Sequence, residues 1–192
     1  MKQKIYVNFE TITNSQEVII DILNNKYNII PPKTFEDLKD LTFKSIHREV
    51  SLDEIYKIKQ SKEYYNNLKI NSTFKELYLK TKDIYEWEII LEQQYQKYEY
   101  KVPIVLWVMQ NVGDDIMIAS IHQAIHKTNF DGTHIDFNYN NFNFNNSNNK
   151  ILLTKLLDTK YNYLKGGEEH LYQVHTWNDI REIINFFNNK NI

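Results

Sequence analysis

The spacing of hydrophobic residues predicts strands that alternate with helices at both ends of the chain. The run Lys4 to Val7 is typical of a short strand, and a helix is expected to begin at Asn14-Ser15. The final helix is expected after Thr176, with that threonine as its N-cap. Three further segments are predicted strands: Thr133 to Phe137, Ile151 to Leu157 and Leu171 to Val174. Alternating strands and helices indicate an α/β fold with a parallel sheet.

The middle of the chain is predicted to be mainly helical. Thr34 is expected to cap a short turn, and capping-box sequences at Ser51 to Glu54 and Thr73 to Glu76 predict two helix starts. Between Asp83 and Glu99, large apolar and aromatic residues recur at steps of three and four, which predicts an amphipathic helix. Trp87 and Leu91 are expected on its buried side.

A second apolar run follows Pro103. Ile104 to Met109 is apolar on both faces, which is typical of a strand buried inside a parallel sheet, and Gly113 to Asp115 is expected to open a helix that reaches His126. These elements predict an α/β core made of residues 1–33 and 101–192. Lys4 to Asn8 is expected at the centre of its sheet, flanked by the strands near residues 104–109 and 151–157. Residues 34–100 are predicted as a helical cap insertion over the carboxyl edge of the sheet, where such folds bind ligands.

Composition restricts the class of protein. The formal net charge is -2, and no apolar run is long enough to cross a membrane, so neither strong nucleic-acid binding nor a membrane partner is expected. The chain has no cysteine, which excludes disulfides and thiolate sites and favours the cytoplasm. Asparagine is concentrated between Asn138 and Asn149, which fits an AT-rich genome of a bacterium or bacteriophage.

Two groups of polar residues resemble reactive sites but are expected to be ordinary surface. His122 and His126 lie one helical turn apart, with His134 as a conceivable third zinc ligand, yet the full ligand set is missing. Glu168 to His170 follows two glycines and is expected in a surface turn.

Tyrosine is unusually frequent in the predicted cap. Tyr64-Tyr65 and the tyrosines from Tyr95 to Tyr100 are the main examples. Aromatic side chains of this kind either stack on a base, anchor a protein partner or fill the space between helices. The sequence leaves these alternatives open, and the tyrosines that are not buried in the cap are expected to face solvent as a patch.

The first strand and its following loop resemble the first motif of the haloacid dehalogenase (HAD) superfamily, and in particular its 5'(3')-deoxyribonucleotidase-like branch. In that motif the strand ends in Asp-x-Asp-Gly-Thr. The resemblance places Asn8 at the position of the nucleophile and Glu10 at that of the general acid, with the glycine deleted and Thr11 following. The run that ends at Met109 and Gln110 resembles the second motif, which normally ends in Ser or Thr.

The late part of the chain resembles the acidic motif of the same family. There two adjacent aspartates hold Mg²⁺, and Asp158 and Thr159 stand at these positions here. Lys127 and Lys150 are the candidates for the lysine of the third motif.

The resemblance implies phosphoryl transfer through an aspartate nucleophile, a carboxylic acid that protonates the leaving oxygen, and Mg²⁺. A neutral amide at Asn8 cannot form the acyl-phosphate, and Thr159 removes a metal ligand. The expected ligand-binding residues of this vestigial site are Asn8, Glu10, Thr11, Met109, Gln110 and Asp158, and Asp158 and Glu10 would hold a metal if one is bound.

We therefore expect a degenerate, catalytically inactive HAD-like protein that binds a protein partner or a nucleotide and needs no cofactor. The alternative is a weak Mg²⁺-dependent nucleotidase or phosphatase that uses Glu10 and Asp158.

Overall fold

A parallel sheet is the central feature of the protein, for which a computed structural model describes residues 2–39, 42–91, 98–120, 132–137, 149–153 and 171–190. The sheet has six strands, in the order β3-β2-β1-β4-β5-β6. The strands are β1 (Gln3–Asn8), β2 (Tyr85–Leu91), β3 (Met117–Ser120), β4 (Gly132–Asp136), β5 (Asn149–Leu153) and β6 (Leu171–Val174). The order reverses between β1 and β4, and ligands of open α/β sheets bind at such a switch point.

Six helices accompany the sheet within the described residues. They are α1 (Ser15–Tyr27), α2 (Leu52–Gln60), α3 (Lys62–Asn67), α4 (Ser72–Thr81), α5 (Tyr98–Asn111) and α6 (Trp177–Lys190). Two short 3₁₀ turns lie at Phe9–Thr11 and Phe35–Asp37. The α/β class predicted from the sequence, with a parallel sheet and flanking helices, is confirmed.

The described residues form two compact units. The first contains the sheet with α4, α5 and α6, and the second contains residues 13–69 with α1, α2 and α3. The helical part of the predicted cap therefore ends before β2, because β2 belongs to the sheet.

The predicted helix between Asp83 and Glu99 is wrong where β2 lies. Trp87 and Leu91 are buried as expected, but on a strand that pairs with β1. Six of the seven residues of β2 are buried, so the strand is covered on both faces, and the β-branched Ile89 and Ile90 suit that environment. The aromatic residues of this segment matched the spacing of a helix by chance.

The predicted strand Ile104 to Met109 is also wrong, since these residues lie in α5. A short apolar run has the same pattern in a buried strand and in a buried helix, so periodicity does not separate the two. Pro103 lies inside α5 and does not end it. The helix predicted after Gly113 is wrong as well: β3 begins at Met117, and residues 121–131 lie outside the described part.

Other predicted elements are confirmed. β1 is central, β4 and β6 lie close to their predicted positions, and β5 covers the start of the predicted strand. The neighbours predicted for β1 were residues 104–109 and 151–157, whereas its neighbours are β2 and β4. Gly132 explains part of this pairing, because a Cβ there would lie 2.2 Å from the Lys4 carbonyl oxygen.

The predicted helix caps are confirmed at three of four positions. Ser51 accepts a hydrogen bond from the Glu54 amide, and the Thr34 capping box is formed. Thr176 accepts from the Asp179 amide at the start of α6. The start of α4 differs, since Asn71 and not Thr73 accepts from the Phe74 amide. None of the described helices is long and apolar enough to span a membrane.

Candidate functional site

The carboxyl ends of β1 and β4 bring Asn8 and Asp136 together. Val7 pairs with Ile135 in the parallel register, so Asn8 and Asp136, the next residues of the two strands, lie side by side at the carboxyl edge of the sheet. The Asn8 side-chain nitrogen donates to the Asp136 carboxylate, at 3.2 Å from Oδ2 and 3.4 Å from Oδ1. Both residues are almost completely buried, so the carboxylate has this amide in place of water.

The turn after β1 uses the other atom of the Asn8 amide. Asn8 Oδ1 accepts from the Glu10 backbone N–H at 2.8 Å, and this fixes which side-chain atom faces Asp136. The Thr11 hydroxyl donates to the Asn8 carbonyl at 2.6 Å. Glu10 and Thr11 are themselves buried. Both ends of the Asn8 side chain are therefore committed to internal hydrogen bonds.

His134 lies on β4 two residues before Asp136, so both side chains project from the same face of the sheet. Its Nε2 atom is 3.3 Å from Asp136 Oδ2, which is an ion-pair distance when the imidazole is protonated. Two nitrogen atoms, Asn8 Nδ2 and His134 Nε2, thus approach the same carboxylate oxygen.

Aromatic residues enclose the turn at Phe9–Thr11. Trp107 of α5 contacts the Phe9 ring edge-on, with ring centroids 5.6 Å apart. The Trp177 indole of α6 donates to the Thr11 carbonyl at 2.8 Å. These contacts exclude water from the backbone of the turn.

The structure brings together Asn8, Glu10 and Thr11 of the predicted site residues. Asp158 and Thr159 lie outside the described residues. Met109 and Gln110 are not at a strand end: they lie on the exposed side of α5, because the segment predicted as the strand of the second motif is a helix. The strand end on which their assignment as ligand-binding residues was based is therefore absent, and the assignment itself stays a prediction.

Of the two lysine candidates, Lys127 lies outside the described residues. Lys150 lies at the start of β5 and pairs in register with His134, not with the edge residues. The role of the third-motif lysine stays a prediction.

Asp136 and Trp177 were not among the site residues expected from the sequence, and His134 was named only as a conceivable zinc ligand. The signal for Asp136 was present, since it lies one residue before the end of the strand predicted at Thr133 to Phe137, and the carboxyl ends of parallel strands meet at one edge. Its partner could not be named because the strand order was not known.

The histidine and acidic clusters of the sequence are not tested as metal sites by the described structure. His122, His126 and Glu168 to His170 lie outside the described residues. Among the residues that the structure does describe, no group of three or more His, Asp or Glu side chains could hold a metal ion.

Solved structures of other proteins are similar to this chain over nearly its whole length. A haloacid dehalogenase-like family hydrolase from Streptococcus pneumoniae matches with a TM-score of 0.64 at 12% identity, covering 97% of this chain and 98% of its own. The fold is that of a HAD-like hydrolase.

Two further structures support the HAD-like fold. A haloacid dehalogenase-like hydrolase from Xanthomonas campestris matches with a TM-score of 0.54 at 8% identity, over 96% of this chain and 95% of its own. A HAD-superfamily hydrolase of subfamily IA from Geobacter sulfurreducens gives 0.55 at 8% identity, over 96% of both chains. No protein-family model and no curated protein matches the sequence.

Proposed function

We propose that this chain is a non-catalytic protein with a HAD-like fold, which acts by binding a protein partner or a nucleotide and not by hydrolysing phosphate esters. The observation that carries this proposal is the pairing of Asn8. Its amide donates to Asp136 and accepts from the Glu10 backbone, so the position of a nucleophile is filled by a neutral structural group.

The chemistry of an amide supports this proposal. A covalent phosphoryl intermediate requires an anionic carboxylate that attacks phosphorus, whereas the amide of Asn8 is uncharged and its lone pair is delocalised. A ligand that reached this side chain would also break two buried hydrogen bonds, each worth about 1 kcal/mol net.

The arrangement does not fit the Mg²⁺ that the resemblance implies. Mg²⁺ is held by oxygen atoms of carboxylates, carbonyls and water in a near-octahedral shell. Here the Asp136 carboxylate faces the Nδ2 donor of Asn8 at 3.2 Å, and the oxygen of Asn8 is used by the Glu10 amide. These contacts place a hydrogen-bond donor where a cation would need acceptors.

Support for a protein partner comes from α5 and not from the tyrosines. The described tyrosines of the predicted cap are buried or half-buried, and Tyr64 is buried, so the exposed tyrosine patch expected from the sequence is absent among them. Tyr95 to Tyr100 lie outside the described side chains. On α5, by contrast, Leu106 and Met109 are about half exposed.

The second candidate is a weak Mg²⁺-dependent nucleotidase. It is favoured by one observation: two carboxylic acids, Glu10 and Asp136, are buried at the edge formed by β1 and β4. In this candidate Asp136 takes the role that the resemblance implied for Asp158.

A phosphatase assay with p-nitrophenyl phosphate and deoxynucleoside monophosphates, with and without Mg²⁺, separates the two candidates. We expect no turnover above that of Glu10→Gln and Asp136→Asn variants prepared in parallel. Turnover by the natural protein that either substitution abolishes would establish the nucleotidase. Turnover that neither changes would identify a contaminating phosphatase.

Binding is measured on the same proteins. If a nucleotide is the ligand, deoxynucleotides raise the melting temperature of the natural protein and not that of Asp136→Asn. If a protein is the partner, a Leu106→Asp, Met109→Asp double variant loses it in a pull-down while keeping the fold. Failure of both measurements would refute the binding proposal.

A further inference from the structure

A side-chain contact ties the last helix of the fold to the candidate site. The Trp177 indole Nε1 donates to the Thr11 backbone carbonyl at 2.8 Å, in the buried interior and across 166 residues of sequence. Thr11 is the last residue of the turn that carries Glu10.

Two other polar contacts of this turn are local. The Glu10 backbone N–H donates to the side-chain oxygen of Asn8, two residues before it. The Thr11 hydroxyl donates to the backbone carbonyl of Asn8, three residues before it. Such bonds fix the shape of the turn but move with it as a unit. The bond from Trp177 comes from a different element, so it holds the turn in place relative to the rest of the sheet unit.

Trp177 is itself firmly held. It is the first residue of α6, directly after the Thr176 cap. The Thr176 backbone N–H donates to the Asp179 carboxylate at 2.8 Å, and the Asp179 backbone N–H donates to the Thr176 hydroxyl. Its ring packs against Phe74 of α4 with centroids 5.1 Å apart, and the side chain is buried. A capped backbone and a packed ring leave the indole little freedom to choose another acceptor.

We infer that Trp177 is a positioning residue of the candidate site: its indole N–H fixes the Phe9–Thr11 turn and thereby the Asn8 and Glu10 groups. Movement at the start of α6 is transmitted to the site, and a ligand that displaces the turn must also move Trp177. This inference concerns the geometry of the site and goes beyond the proposed function, since it holds whether the site binds or hydrolyses.

The test compares Trp177→Phe with Trp87→Phe. Trp87 is a matched control, because its indole also donates to one buried acceptor, Thr81 Oγ1 at 3.1 Å, and its ring also packs on Phe74. The readout is hydrogen exchange of the Glu10 backbone amide, measured by NMR relative to the Val7 amide in β1.

In Trp177→Phe, exchange of the Glu10 amide should rise about fivefold relative to Val7, as loss of one hydrogen bond of ordinary net strength predicts. In Trp87→Phe the ratio should stay unchanged even if the melting temperature falls equally. An unchanged ratio in Trp177→Phe, or an equal rise in both variants, would overturn the inference.

A second measurement on the natural protein covers the case in which Trp177→Phe does not fold. The Trp177 indole proton and the Glu10 amide should exchange with the same dependence on urea below the unfolding transition, because one opening exposes both. Exchange of the Glu10 amide through an opening that leaves the indole proton protected would contradict the inference.

Discussion

Asn8 and Asp136 form a buried amide-carboxylate pair, 3.2 Å apart, at the point where the strand order of the sheet reverses. This is the place where open α/β sheets hold ligands, and here the two strand ends bind each other. The pair links β1 to β4 beyond the backbone ladder, so it contributes to stability as well as to the character of the site.

Asn8→Asp should destabilise the protein and restore no phosphatase activity. The substitution replaces a hydrogen-bond donor with a second carboxylate beside Asp136, and breaking a buried pair by removing one of its members costs about 3 to 5 kcal/mol. Urea unfolding at neutral pH measures the loss, and the same p-nitrophenyl phosphate assay measures turnover.

The double variant Asn8→Asp, Asp136→Asn is the matched control, because it exchanges the two groups and keeps one donor and one charge. It should recover most of the lost stability. An Asn8→Asp protein as stable as the natural one would show that the two side chains do not interact in solution.

Substitutions at the helix caps can distinguish the caps seen in the structure from those expected from the sequence pattern. Ser51→Ala and Asn71→Ala should each lower the free energy of unfolding by about 1 kcal/mol, because each removes a side-chain acceptor for a helix amide. Thr73→Ala should be close to neutral, although Thr73 begins a capping-box sequence. A loss at Thr73 equal to that at Asn71 would contradict the observed start of α4.

The assignment of residues 98–111 to a helix can be tested with neighbouring positions. Ile104 is completely buried and Leu106 is 53% exposed, although both belong to the same apolar run. Ile104→Ala should cost about 2 to 5 kcal/mol, and Leu106→Ala should stay within about 0.5 kcal/mol. Two equally large losses, measured by chemical unfolding, would support the buried strand expected from the sequence.

Glu54 should make part of the stability of the second unit depend on pH. Burial acts to raise the pKa of Glu54, but the hydrogen bonds from Lys26 and Tyr27 outweigh it and lower the pKa below its usual 4.5. A lowered pKa in the folded state gives stability that is present above the unfolded value and is lost as the pH falls through the folded value.

Glu54→Gln should therefore flatten the fall in stability between roughly pH 6 and pH 3. Unfolding curves across that range measure the slope. Asp53→Asn is a suitable control, because the Asp53 ion pair with Lys57 is exposed and contributes little. A slope that Glu54→Gln leaves unchanged would show that the contact with Lys26 and Tyr27 does not persist in solution.

The sequence by itself determined the α/β class, the central position of β1 and the helices that begin with strong caps. These features depend on local information: the apolar run at Lys4 to Val7, the hydroxyl of Ser51 and the threonine before α6 act within a few residues. Asn8, Glu10 and Thr11, which carry the resemblance to the first motif, were equally visible, because their residue types are read directly from the sequence.

The tertiary structure decided that residues 85–91 form a strand and residues 98–111 a helix. It also decided that Asn8 pairs with Asp136 at the candidate site. An apolar run has the same pattern in a buried strand and in a helix packed on a sheet, and only the neighbouring elements determine which backbone forms. Asp136 and Trp177 became site residues only through strand order and through the packing of α6, which join groups 128 and 166 residues apart. Contacts over such separations leave no periodic trace in the sequence, since they arise from the arrangement of whole elements.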